Sequence, residues 1–170
     1  MRPAVFFDRD GVLNVEKNYL HQPELFVWQP EAPEAITWLK QQGYLVIVVT
    51  NQSGIARGYY SERDMHALHA HIQTLLKPFN SSIDAFYFCP HLPNAPLAAY
   101  AKTCDCRKPK PGMIKQALAD YDIDAGQSFL VGDKLSDLKA AQAAGIRGYL
   151  YEGGSLLAFV RNVIKKAEFD

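Results

Sequence analysis

Short apolar runs separated by polar breaks set the rhythm of this chain. Residues 4–7, 44–49, 83–88, 128–131 and 149–151 are compact, aromatic or β-branched, and read as strands. The run at 44–49 is the strongest: it has no polar interruption and should be buried on both faces. Between these runs, apolar residues recur at helical spacing. Pro33 suits the first turn of a helix that runs to about Gln42 and is closed by Gly43. Ser61 is a good N-cap, with Asp64 positioned to complete a reciprocal cap. The helix it starts turns Met65, Leu68, Ile72, Leu75 and Leu76 inward, while His66, His69 and His71 read as solvated residues rather than metal ligands. Further helices are expected from Pro111 to about Tyr121, from about Ser136 to Ala144, and after Gly153-Gly154, the last of these docking on the sheet. Phe26-Val27-Trp28 reads as a short strand or a packed lid segment. Strands alternating with helices predict a doubly wound, parallel α/β fold, in which ligands bind beyond the carboxyl ends of the strands.

Chemistry collects at those ends. The first strand stops in Asp8-Arg9-Asp10-Gly11, placing two aspartates one residue apart. Their like charges repel, and a hard divalent cation would relieve the conflict. Taken alone, the stretch also reads as a strand closing in an Asp-Gly turn. The later ends decide between the two. The second strand leads into Thr50, Asn51, Gln52 and Ser53, the segment after the third brings Arg107 and Lys108, and the fourth brings Asp133, Lys134 and Asp137. Carboxylates for a cation, a hydroxyl and cationic side chains are the inventory for phosphoryl transfer, where catalysis is chiefly positioning and charge stabilisation. One carboxylate can attack phosphorus while a second carries the proton.

Composition changes this picture little. At 170 residues with zero formal net charge, the chain is expected to form one domain over 1–170, with no global field for nucleic acid or an anionic membrane. The apolar segment at the N-terminus is too short for a signal peptide, so a cytoplasmic protein is expected. Monomer is the default. The three cysteines are more telling, because Cys89, His91, Cys104 and Cys106 make a complete tetrahedral set for zinc within an otherwise aperiodic stretch, 89–110. With no vacant position, that ion should be structural and should fix Arg107 and Lys108 at the mouth of the site.

DRDGV, the strand ending VVTN, Lys108 and GDKLSD together resemble the four motifs of the haloacid-dehalogenase phosphatase superfamily, in order and over nearly the whole chain. The resemblance implies Asp8 as nucleophile, Asp10 as acid/base, and Thr50 and Lys108 as ligands of the transferring phosphoryl. It implies a Mg²⁺ site from Asp8, Asp133 and the backbone carbonyl of Asp10, with Asp137 tethering the metal loop, and no large cap domain. CPHLP followed by CDCRKPKPGM is similar to the branch that contains heptose 1,7-bisphosphate 7-phosphatases and histidinol phosphatases. TNQSGIARG, GMI and Lys134 resemble the heptose side of that branch. On that likeness, Glu16, Lys17, Asn18, Tyr19, Asn51, Gln52, Ser53, Arg107 and Lys134 line a sugar bisphosphate, and the product serves nucleotide-activated heptose synthesis, for lipopolysaccharide, a surface glycoprotein or another glycan. Ser53 stands where an acid would suit the amine of histidinol phosphate. The region after Tyr151 is shorter than usual for the heptose side. Histidinol phosphate or another small phosphomonoester is the alternative substrate, and a zinc-loop binding module on an inactive phosphatase fold is the non-enzymatic alternative.

Overall fold

The computed structural model describes residues 1–169. Five strands, β1 (Ala4–Phe7), β2 (Leu45–Asn51), β3 (Ala85–Cys89), β4 (Phe129–Gly132) and β5 (Arg147–Leu150), form one all-parallel sheet in the order β3-β2-β1-β4-β5. Five helices, α1 (Ala32–Gln41), α2 (Glu62–Leu76), α3 (Gly112–Asp120), α4 (Leu135–Ala143) and α5 (Leu156–Phe169), cover it. Alternation along the strands splits the core in two. Val5, Phe7, Val46, Val48 and Val131 pack with α1, α2 and α5, whereas Phe6, Ile47, Val49 and Leu130 pack with α3 and α4. A sheet covered on both faces explains why β1 and β2 are uninterrupted apolar runs.

The sequence signals fix most elements to within a residue or two. Ser61 and Asp64 form the reciprocal cap on α2, each side chain accepting from the other's backbone N–H at 3.1 and 3.0 Å. The strand expected from residue 83 starts two residues later. Asp84 is held outside it, its carboxylate accepting from Val46 N–H and from Lys40 Nζ, each at 2.8 Å. Another departure is β5, which begins at Arg147 rather than 149. It is an edge strand, and Gly148 lets α4 lie close: an added Cβ there would stand 3.0 Å from Leu138. Arg-Gly carries no apolar signal, so the pattern concealed the start. Residues 26–28 form a packed segment, with Trp28 bridged to Asn14 and Phe26 edge-on to Trp28.

The direction in which the chain winds across the sheet reverses between β1 and β4. From β1 the chain winds outward through β2 and β3, then crosses back to β4 and β5. This is the switch point at which doubly wound sheets open a crevice, and Asp8 and Asp133 stand at its two sides. Among the described residues, no helix is long and apolar enough to cross a membrane.

Candidate active site

The strand ends build a buried charge cluster. Asp8 Oδ1 accepts from Lys108 Nζ at 3.0 Å and from Arg9 N–H at 2.9 Å. Lys108 Nζ also donates to Val49 O at 2.9 Å and pairs with Asp137 Oδ1 at 2.7 Å. The other Asp137 oxygen accepts from the backbone N–H of Asp133 and of Lys134, each at 3.1 Å, so this side chain ties the loop after β4 to α4. Two glycines make the approach feasible. An added Cβ at Gly11, where φ is +92°, would lie 2.1 Å from Asp133 Oδ2, and one at Gly132 would lie 2.3 Å from Asp137 Cβ.

This donor set suits a divalent cation. Asp8, Asp133 and Asp137 each offer an oxygen within 4.8 Å of the others, and Asp133 Oδ1 is buried without a hydrogen-bond partner. Burial pushes the Asp8 carboxyl up to about 8; Lys108 opposes that rise, and Asp137 and Asp133 add to it. Burial also works against the Lys108 ammonium, but the charges of Asp8 and Asp137 outweigh it and raise its pKa. Lys108 is therefore a fixed cation. Three clustered carboxylates, only two of them paired with the single ammonium, leave negative charge unmatched, and a hard dication with oxygen ligands would balance it.

Asp10 points into a different set of partners. Its carboxylate accepts from Arg9 Nε at 3.1 Å and from Arg9 Nη2 at 3.0 Å, from Asn14 Nδ2 at 3.0 Å and from Gln52 Nε2 at 3.2 Å. Arg9 is wholly buried, turning toward α2 and closing on Asp10. Gln52 Nε2 also donates to Thr50 Oγ1 at 2.8 Å, and Tyr60 OH donates to Gln52 Oε1. Asn51 accepts from Lys108 N–H at 3.0 Å and donates to Lys108 O at 3.2 Å, stapling the end of β2 to the segment that carries the lysine. The amides of Asn51 and Gln52 thus have internal partners as well as facing the site.

Above this floor opens a cavity of about 650 Å³. Asp8, Asp10, Glu16, Asn18, Tyr19, Asn51, Gln52, Ser53, Arg107, Lys108 and Lys134 line it, as the sequence suggests. Lys17 does not: its Nζ turns to Leu25 O at 2.8 Å, because the left-handed turn at Asn18 and Tyr19 separates neighbouring side chains. Thr50 lies beneath the lining, almost fully buried. Arg57, Tyr60 and Ser136 also line the cavity and carried no independent signal, although Arg57 lies within the TNQSGIARG stretch. Arg57 sits over the Tyr19 ring at 5.6 Å, and both Arg57 Nε and Arg107 Nη1 are buried without partners. One expectation fails outright. His69 is buried rather than solvated, stacked on Phe86 with ring centroids 4.2 Å apart.

Beside the cavity, Cys89 Sγ, His91 Nδ1, Cys104 Sγ and Cys106 Sγ converge. All four lie within 4.8 Å of one another, with separations of 2.9 Å for Cys106–Cys89 and 3.7 Å for Cys89–His91 among them, and the cysteines are free. A tetrahedron with zinc–sulfur arms of about 2.3 Å has edges near 3.8 Å, so the group is close to zinc dimensions. Burial raises the Cys89 and Cys106 thiols and lowers the His91 imidazole. A dication supplies the charge that would turn such thiols into thiolate ligands. The loop also clasps its neighbour, through Leu97 N–H to Ala56 O at 3.2 Å and Tyr100 OH to Glu62 at 2.6 Å.

A doubly wound sheet with paired aspartates after β1, a lysine and an acidic loop at the switch point defines a hydrolase of haloacid-dehalogenase (HAD) type. Residues 105–158 match the HAD-hydrolase-like family model. The chain is 44% identical to D-glycero-beta-D-manno-heptose-1,7-bisphosphate 7-phosphatase of Rhodopseudomonas palustris over 163 residues, covering 96% of this chain and 91% of the relative. It is 45% identical to the D-glycero-alpha-D-manno-heptose-1,7-bisphosphate 7-phosphatase of Photorhabdus laumondii, over 89% of this chain and 83% of that one. The crystal structure of D,D-heptose 1,7-bisphosphate phosphatase from B. bronchiseptica, complexed with magnesium and phosphate, superposes with a TM-score of 0.83 at 30% identity, covering 96% of this chain and 99% of that one. The chain belongs to the heptose 1,7-bisphosphate 7-phosphatase family of HAD hydrolases.

Proposed function

We propose that this protein removes the 7-phosphate of D-glycero-D-manno-heptose 1,7-bisphosphate and leaves the 1-phosphate in place for nucleotide activation. The carrying observation is Asp8, held by Lys108 at 3.0 Å on the floor of a cavity whose lining includes Arg107 and Lys134. One end of that cavity suits phosphoryl transfer, and the cations at its rim suit a second phosphate.

In this reading Asp8 attacks phosphorus, the bond from phosphorus to the sugar oxygen breaks, and Asp10 gives its proton to the leaving alkoxide. Water then attacks the aspartyl-phosphate, Asp10 takes the proton back, and the bond to Asp8 breaks to release inorganic phosphate. Lys108 and Thr50 hold the transferring group. Asp8, Asp133 and the Asp10 carbonyl would bind Mg²⁺, which supplies charge neutralisation for the phosphoryl oxygens. Asp137 fixes Lys108 and the loop of Asp133. Zn²⁺ on Cys89, His91, Cys104 and Cys106 would be structural. We read residues 1–170 as one catalytic domain, acting as a cytoplasmic monomer on a small substrate; the neutral net charge agrees with the absence of a nucleic-acid or membrane partner.

A phosphate-release screen under Mg²⁺ tests this reading, with both anomers of heptose bisphosphate against histidinol phosphate. Heptose bisphosphate should be the preferred substrate, and a preference for histidinol phosphate would overturn the assignment. Arg107→Ala sharpens the test: it should cost about 10–100-fold in kcat/KM on the bisphosphate, the worth of a charge-assisted contact, and much less on a monophosphate.

A further inference from the structure

Beneath the site, a buried histidine that makes no contact with the cavity is wired to the proton carrier. His69 sits on the inner face of α2, 5% exposed and stacked on Phe86. Its Nε2 lies 3.2 Å from Arg9 Nη1. A guanidinium can only donate, so Nε2 is the acceptor and the ring is neutral with its proton on Nδ1. Burial first, then Arg9 and His66, push His69 down to about 3, which keeps it in that acceptor form. Arg9 has no exposed surface and uses its remaining fork on Asp10 and on Leu20 O at 3.0 Å.

We propose that His69 is a positioning residue for the reaction: it fixes the Arg9 guanidinium, and Arg9 fixes the carboxylate of Asp10 at the angle needed for proton transfer. The inference rests on Asp10 as the acid/base. A guanidinium is a rigid planar fork, so its in-plane rotation carries any carboxylate it grips in two places. Three anchors define that plane here: the Asp10 carboxylate, Leu20 O and His69 Nε2. Without the third, Nη1 becomes a buried donor with no acceptor, and the fork is free to turn until it finds one. The other partners of Asp10, Asn14 on one oxygen and Gln52 on the other, donate to the carboxylate and do not replace the acceptor that Nη1 loses.

Side-chain reach provides the test. Gln extends an acceptor to the position of the histidine Nε2, Asn reaches only that of Nδ1, and Leu offers none. His69→Leu and His69→Asn should lower kcat on an alkyl phosphate at least tenfold with KM within twofold of wild type, part of the 10²–10⁴-fold typical of acid–base catalysis. His69→Gln should restore most of that loss. p-Nitrophenolate leaves without a proton, so the first-turnover burst on p-nitrophenyl phosphate should survive in all three, followed by a steady state that is slowed in the Leu and Asn variants and largely restored in the Gln variant. Equal kcat for the Gln and Asn variants, or a burst that falls as far as alkyl turnover, would overturn the proposal and leave His69 a packing residue. If the Leu variant does not fold, the Gln–Asn pair still decides. The p-nitrophenyl phosphate arm is independent of which sugar is the natural substrate, so a failed substrate assignment is told apart from a failed positioning role.

Discussion

Two groups of ligand-type side chains lie at the same edge of this sheet, and they are held in opposite ways. The carboxylate floor, Asp8 with Asp133 and Asp137, grows directly out of strand ends and carries its own counter-ion in Lys108. Its side chains are braced by backbone N–H groups and by an apolar core on both sides of the strands. The thiol–imidazole group takes only Cys89 from a strand end; His91, Cys104 and Cys106 sit in a long segment with little core of its own, and burial disfavours the thiolates of Cys89 and Cys106. One site is organised by the fold and would lend its order to a metal. The other would take its order from a metal, and through Asn51 and Lys108 would pass that order to the floor.

The largest effect expected from this contrast is Asp8→Asn, which should abolish phosphate release, by at least about 10⁴-fold, while leaving the melting temperature within a few degrees. Residual turnover near wild type would remove Asp8 from the reaction. Next is the thiol–imidazole group. Cys104→Ser, or chelation of the wild type, should lower bound zinc and thermal stability together, by several kcal/mol given the folding energy such ions supply. Activity should fall as a consequence. Magnesium removal should stop turnover yet restore it fully on re-addition, with little change in melting temperature. If both metals affect stability alike, the contrast fails. The smallest effect is Gly11→Ala. A Cβ 2.1 Å from Asp133 at a positive φ should cost about 1–3 kcal/mol and weaken the apparent Mg²⁺ affinity, seen as a raised metal concentration for half-maximal activity.

Much of this was legible in the chain. The strands of the sheet interior are long apolar runs because both faces are covered, and the charged groups of the candidate site follow them without delay because strand ends are where backbone leaves the core. The cysteine–histidine group was legible because its four side chains cluster in eighteen positions, 89–106. The burial of His69 was missed on residue type: the helical period sets it beside Met65, Ile72 and Leu76 on the inner stripe, but the partners that satisfy its ring, Arg9 and Phe86, come from the turn after β1 and from β3, 60 and 17 residues away. Lys17 misled for the complementary reason: its neighbours Glu16 and Asn18 do face the cavity, and only the turn geometry sends it elsewhere.

Sequence by itself determined the strand-helix alternation, the chemistry at each strand end and the ligand set of the loop, because these depend on local runs and spacings. Tertiary structure alone decided which charges meet. Lys108 reaches Asp8 across 100 residues, and Asp137 meets both Lys108 and the loop of Asp133. Those pairings depend on strand order and register, which bring distant segments to one edge, and a single buried ammonium becomes the common counter-ion of two carboxylates only there.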